Sequence, residues 1–320
     1  MRFRRPMLVL HSLAAFSSRS RVRTETALVA RSPRPRVANE TDGVQRIAAF
    51  ADGESGGNPA GVMIRSVLPH VPEMKATAAA VGYSETVFAA PLPGEDAYGI
   101  RFFAPESEVS FCGHATIALG ACLTLEHGEG VYALRLHDGV YISVEGRREG
   151  NAVAAALQSP PTSSVLADDV LRARILALFC LHAEDLDERI PMSVANAGSS
   201  HTVVALKERS VLADMAYDLE EGRALMNEYG LTTICLLHAA TETSMTARCP
   251  FASGGVYEDA ATGSAAAALG GLLRDVGWPH GGRVEIRQGI EMGQPSRLVV
   301  EIGEARGESV RVSGTTRVIE

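Results

Sequence analysis

The segments Gly113–Leu123 and Gly263–Leu273 share one pattern, G-x-A-x-x-A-L-G-x-x-L, in a chain of 320 residues. A single Ala-Leu-Gly helix is commonplace, but two at half-chain spacing indicate a duplicated domain. Each copy is apolar on every side, and a helix of that kind must be covered on every side. The repeat therefore predicts two halves of like build, each wrapping a sheet around a central helix. Each copy also opens on Gly followed by a polar residue, His114 or Ser264. Free backbone N–H groups at such starts attract carboxylates and developing negative charge. If a pseudo-twofold relates the halves, both starts point into one cleft.

The rest of the chain divides around this repeat. Strands are expected at Gln45–Ala51, Thr86–Ala90, Tyr98–Phe103, Val310–Ser313 and Thr316–Ile319, and a helix at Pro72–Val81. Gly53–Gly61 reads as a turn-rich loop, and Asp138-Gly139 as the turn of a hairpin. Ser159-Pro160-Pro161 reads as the linker. The expected organisation is an N-terminal domain over 44–158, completed by a C-terminal strand at 310–320, and a second domain over 159–309. Residues 1–43 are rich in Arg and Ser and poor in acids. They read as a mitochondrial targeting leader, a disordered extension or the result of a start codon placed too early. The expected location is cytoplasmic, or mitochondrial if that leader is a transit peptide.

Charge and cysteine usage exclude several classes. Residues 1–44 carry nine Arg and three acids, about +6, so the formal charge of −8 leaves the remainder near −14. An acidic body argues against a nucleic-acid partner, whose phosphates call for Lys and Arg. The longest apolar run near the N-terminus, Met7–Phe16, is too short to span a membrane. The five cysteines are scattered, without C-x-x-C, which argues against a zinc ribbon or a disulfide framework. No phosphate loop, dinucleotide fingerprint or H-E-x-x-H is present. No metal and no cofactor are expected.

Polar residues gather where loops meet the two helices. They fall in Ser84-Glu85-Thr86, in Phe111-Cys112-Gly113-His114-Ala115-Thr116 and in Glu258-Asp259 through Thr262-Gly263-Ser264-Ala265. Gly57-Asn58-Pro59-Ala60-Gly61, Gln288-Gly289 and Met292-Gly293-Gln294-Pro295-Ser296 complete the set. In this order and spacing, from about Val44 to the C-terminus, the motifs resemble the phenazine-biosynthesis PhzF family, which has the diaminopimelate-epimerase fold. The resemblance implies an α/β (α+β) protein of two pseudo-symmetric domains, each a curled, mainly antiparallel sheet around a central helix. It implies a cofactor-independent isomerase, forming a homodimer, that shifts a proton on a small cyclic or unsaturated carboxylate. Glu85 matches the family's general acid/base, with His114 and Asp259 as its other polar site residues. Asn58, Gly113, Gly263 and Ser264 fall at substrate-binding positions.

The chemistry is consistent on its own terms. Taking a proton from carbon needs a base in a dry pocket and donors where charge develops. Against that stand plainer roles: a surface Glu for residue 85, and helix capping for His114 and Asp259. A two-thiol racemase or epimerase of an amino or imino acid is the rival. Cys112 stands where its first thiol would be, but Ala260 and Ala261 occupy the place of the second. A non-catalytic binding protein on the same fold is the third reading. Three departures from the family pattern bear on substrate: Ala260 replaces a usual Pro, the R-x-F segment becomes Arg248-Cys249-Pro250-Phe251, and Gln294 replaces a common Arg.

Overall fold

The structure, a computed structural model, describes residues 41–150 and 152–320. All but the last three residues of the 1–43 leader reading lie outside the described residues. Strand Gln45–Ala51 (β1) pairs antiparallel with Asn58–Ile64 (β2). After helix Val71–Val81 (α1), Glu85–Pro91 (β3) lies parallel to β2. Ala97–Phe103 (β4) is antiparallel to β3, and the short Glu108–Val109 (β5) adds to its edge. Helix Gly113–His127 (α2) follows. Gly130–Arg135 (β6) then runs parallel to β4, and Tyr141–Glu149 (β7) and Ala152–Pro161 (β8) complete an antiparallel run.

The second half repeats this order of pairings. Ser163–Leu166 (β9) continues from β8, and helix Asp169–Leu178 (α3) leads to Ser193–Asn196 (β10), which pairs antiparallel with β9. Ser200–Leu206 (β11) is antiparallel to β10. Past helices Arg209–Ala213 (α4) and Leu219–Tyr229 (α5), Thr233–Ala239 (β12) lies parallel to β11. Ser244–Phe251 (β13) is antiparallel to β12, and the short Val256–Asp259 (β14) adds to β13. Helix Gly263–Asp275 (α6) follows. Arg283–Gln288 (β15) runs parallel to β13, then Ser296–Glu301 (β16) and Ser309–Val318 (β17) are antiparallel. Pairings from β1 to β8 and from β10 to β17 thus follow one sequence, with α2 and α6 at the same point in each.

β17 joins the two runs. It pairs with β16 through Arg311–Ser313, with β8 from Ser309 to Thr316 and with β1 through Thr315–Val318. The first run therefore closes into a ring, β1-β2-β3-β4-β6-β7-β8-β17 and back to β1. Its centre is α2, which is buried at every position from Gly113 to Thr124. α6 is buried in the same way from Gly263 to Arg274, against β9, β10, β11, β16 and β17. Leu119, Leu123, Leu269 and Leu273 are at most 1% exposed. Full burial of such a side chain is worth about 1.5–3 kcal/mol, which is why a helix without a polar face is stable here.

Three expectations need correcting. Ser159-Pro160-Pro161 is the end of β8, not a loop. The prolines are tolerated there because a strand end needs few N–H donors, and the Ser159 hydroxyl accepts from the Val310 amide at 2.9 Å. Gly53–Gly61 is a loop only to Gly57, because Asn58 already pairs with Ala49. The expected strands at 310–313 and 316–319 are one strand, continuous through Gly314. Gly314 fits against the ring of Phe50, which a Cβ would approach to 2.6 Å.

Candidate active site

The two buried helices meet at their N-termini. A Cβ placed on Gly113 would lie 3.1 Å from Gly263 Cα and from the Ser264 amide nitrogen. A side chain there would force the opposite helix start back by a few tenths of an ångström, and the convergence expected from the repeat is present. Neither helix start carries a side-chain cap: Cys112 precedes α2 and Thr262 precedes α6, and neither side chain accepts a cap hydrogen bond. Phe50 packs against this junction in the left-handed region, at φ 60°, where β1 bulges against β17. Its ring lies 3.2 Å from where a Gly263 Cβ would stand.

Glu85 opens β3, opposite Ala60, and is buried. Its Oε2 lies 3.4 Å from His114 Nε2. That contact is too poorly directed to count as a hydrogen bond, and the same oxygen is buried with no hydrogen-bond partner. His114, at the second position of α2, is held by the Ser84 hydroxyl at 3.3 Å from Nε2 and by Cys112 Sγ at 3.3 Å from Nδ1. Neither a surface position for Glu85 nor capping by His114 describes what is found.

Asp259 ends β14 and is also buried. Asn58 Nδ2 donates to its Oδ1 at 2.7 Å, and the Thr262 hydroxyl donates to its Oδ2 at 2.6 Å. Burial pushes its carboxyl above the ordinary aspartate value; His114 works against that rise and Glu85 adds to it. Asn58 gives its second amide proton to the Ala261 carbonyl at 3.0 Å. Asn58 therefore ties β2 to the start of α6. Ser264, 8% exposed, stands at the second position of α6.

The sequence assigned no individual role to two elements of this arrangement. Gln288 braces the turn before α6, donating from Nε2 to Asp259 O at 2.8 Å and accepting at Oε1 from the Thr262 amide at 3.1 Å. Gly289 follows in the left-handed region, where a Cβ would be 2.4 Å from Gln294 O. Arg248 forms a buried forked pair with Glu258, at 3.1 Å and 2.5 Å, beside Asp259. In the sequence these residues showed only as a matched Gln-Gly pair and as an altered R-x-F segment.

Cys112 is buried next to both Glu85 and His114. Burial first, and Glu85 second, push its thiol well above the ordinary value. Ala260 and Ala261, at the place of a second thiol in the sequence pattern, are both buried. Donor atoms of Glu85, Cys112 and His114 lie within 4.8 Å of one another. His201 is fully buried between Thr233 Oγ1 at 2.7 Å and Ser199 Oγ at 3.0 Å, a structural histidine away from the helix junction's motifs in sequence. The acidic stretch Glu184–Glu188 is solvated only in part, because Asp187 is buried against Arg189.

A duplicated sheet-and-helix body, with carboxylates and an imidazole gathered at paired helix starts, is the fold shared with solved PhzF-family proteins. The family model described as phenazine biosynthesis-like protein (PhzC-PhzF) matches residues 47–320, and the chain belongs to that family. It is 32% identical to a trans-2,3-dihydro-3-hydroxyanthranilate isomerase of Pseudomonas fluorescens, over 84% of this chain and 94% of that protein. It is 26% identical to the uncharacterized isomerase YfhB of Bacillus subtilis, over 85% of this chain and 94% of that protein. The crystal structure of a Bacillus anthracis phenazine biosynthesis protein of the PhzF family superposes with a TM-score of 0.75 at 20% identity, covering 87% of this chain and 96% of that one. Membership of a family of named isomerases places the chain among enzymes. Among the described residues, no helix is long and apolar enough to cross a membrane.

Proposed function

We propose that the chain shifts a proton on a small cyclic or unsaturated carboxylate, with Glu85 as the general acid/base. The observation that carries this reading is the Glu85 carboxylate itself. It is buried beside His114, with one oxygen free of any hydrogen bond. Such a group is able to take a proton from carbon and return it elsewhere on the same molecule. The substrate carboxylate, or the charge that develops as the proton leaves, is met by the N–H groups of the converging helix starts. Asp259, with its pKa raised, is suited to hold a proton and donate a hydrogen bond, while Asn58, Thr262 and Gln288 fix its direction. His114 stands 3.4 Å from Glu85 Oε2 and limits where that carboxylate can lie. Gly113 and Gly263 bring backbone close to the substrate, and Ser264 offers a hydroxyl. Glu85, His114, Asp259, Asn58, Thr262 and Ser264 are 4–8% exposed, so a substrate enters by displacing what covers them.

The substrate class follows the named relative, a dihydro-hydroxyanthranilate. The test is exchange in heavy water with cyclic enamine and diene acids of that type. Deuterium enters the carbon skeleton with the wild-type chain, and Glu85→Gln lowers the rate by roughly 10²–10⁴. Equal exchange by the Gln variant removes the assignment. The racemase reading is favoured by Cys112 alone. It needs a second thiol that Ala260 and Ala261 do not supply, and a thiolate where burial opposes one. Loss of exchange in Cys112→Ala, with Glu85→Gln unaffected, would put that reading first. The assembly proposed from the resemblance is a homodimer, checked by light scattering of the full chain.

A further inference from the structure

We propose that Cys235 and Cys249 are the site of a reversible disulfide, formed by hydrogen peroxide, that loosens the brace on Asp259 and slows the enzyme. Leu236 of β12 pairs antiparallel with Arg248 of β13, so Cys235 stands opposite Cys249 one step further along. Leu236 packs with Leu171, Leu212 and Leu225. By alternation the two cysteines take the other face, and both lie in the core that holds Leu269 and Leu273 of α6. Opposed residues on antiparallel strands hold their Cα atoms about 4.5–5.5 Å apart. A disulfide spans about 4.4–6.8 Å between Cα atoms, so the bond closes within the existing strand spacing. The two side chains are already in hydrogen-bond contact.

The pair is joined to the site. Cys249 also stands opposite Asp259 across β13 and β14, and its side chain meets the Thr262 hydroxyl. That hydroxyl donates to Asp259 Oδ2 at 2.6 Å and accepts from Gln288 Nε2 at 3.0 Å. An oxidant in the substrate cleft therefore reaches Cys249 just behind Thr262. At 2% and 1% exposure, Cys235 and Cys249 admit only a small neutral molecule. The bond to Cys235 first, then burial, hold the Cys249 thiol well above its ordinary value, so the reaction is slow. Cys249 loses its proton to water and attacks one peroxide oxygen; the O–O bond breaks, hydroxide leaves, and a sulfenic acid forms. The Cys235 sulfur then attacks the Cys249 sulfur, and the displaced hydroxyl leaves with the Cys235 proton as water. Two thiols are oxidised and one peroxide is reduced to two waters. Turned toward Cys235, the Cys249 sulfur no longer meets Thr262. The effect on exchange rests on the role proposed for Asp259, whereas the disulfide does not.

The test uses the full chain in a Cys180→Ser background, which removes the exposed thiol. It is treated with millimolar hydrogen peroxide, digested without reductant and mapped by mass spectrometry. The expected result is a linked pair of peptides carrying Cys235 and Cys249, separated by dithiothreitol. Deuterium exchange falls at least ~10-fold on oxidation and returns with dithiothreitol. In Cys235→Ala the link is absent and peroxide leaves exchange unchanged. Circular dichroism melts show whether that variant is folded, and Cys235→Val serves in its place if it is not. No link in the oxidised chain overturns the disulfide. A link with exchange unchanged, or a loss of exchange that persists in the folded Cys235 variant, overturns its effect on the site. Absence of exchange in the reduced chain overturns the proton-shift reading instead, and mass mapping still decides the disulfide.

Discussion

Removal of Arg248 should be among the most damaging single changes in the chain. Its guanidinium is 8% exposed and forks onto Glu258, whose side chain is 3% exposed. A third nitrogen of the fork, Nη1, donates to Ala213 O at 2.8 Å and Met215 O at 3.3 Å, at the end of α4. Arg248→Met keeps much of the volume but leaves Glu258 as a buried charge without a partner, and leaves these carbonyls bare. Breaking a buried pair from one side costs about 3–5 kcal/mol. At 2–4 °C per kcal/mol this lowers Tm by roughly 6–20 °C. Adding Glu258→Gln to Arg248→Met removes the stranded charge, so the double variant should recover most of the loss, as buried pairs replaced on both sides do. Urea unfolding at pH 7 of the parent, both single variants and the double variant reads the coupling directly. Glu258 adjoins Asp259, so the single variants also slow exchange. A loss below about 1 kcal/mol for Arg248→Met, or a double variant no better than the worse single variant, would refute the reasoning.

Other expectations are equally direct. Gly113→Ala drives a methyl group against the backbone of the opposite helix start, which cannot move without opening the junction. It should cost about 1–3 kcal/mol in thermal unfolding and slow exchange, and an unchanged melt would contradict the close approach. Burial lowers the pKa of His201 to about 3, so below pH 6.5 the unfolded chain takes up a proton that the folded chain refuses. Stability then falls with acid by about 1.4 kcal/mol per pH unit from this group. Between pH 6.5 and pH 5, His201→Gln should lose about 2 kcal/mol less than wild type by urea unfolding. Asp218 caps α5 by accepting from the Glu220 and Glu221 amides, each at 2.9 Å. Asp218→Ala should cost about 1 kcal/mol, read by the same assay.

The sequence carried most of the architecture because burial leaves a pattern. α2 and α6 are legible as helices without a polar face, and their spacing as duplication. The closing of the first ring is less legible: β8 ends in Pro160-Pro161, and local chemistry there indicates a break. The distant β17 keeps that end in the sheet, through Ser309 opposite Pro161 and the Val310 amide bound to Ser159. Glu85, His114 and Asp259 are legible as a group through their motifs. The partners that hold them are less so, because Gln288 and Arg248 act through contacts made across 26 and 10 residues of chain. A carboxamide or guanidinium that braces a turn has no spacing rule of its own.

The duplication also accounts for the chemistry proposed at the junction. Matching halves deliver two matching helix starts, and on backbone alone the site would be symmetric. Side chains break that symmetry. The first half contributes Glu85, Cys112 and His114; the second contributes Asp259, Thr262 and Ser264, with Ala260 and Ala261 where a second thiol would stand. A racemase needs equal bases on two faces of a carbon. A proton shift within one molecule needs one mobile base, and on the other side groups that hold the substrate still. Asp259, tied down by Asn58 and Thr262 with burial favouring its proton, suits the holding side. Glu85, with one oxygen free of any hydrogen bond and an imidazole beside it, suits the moving one.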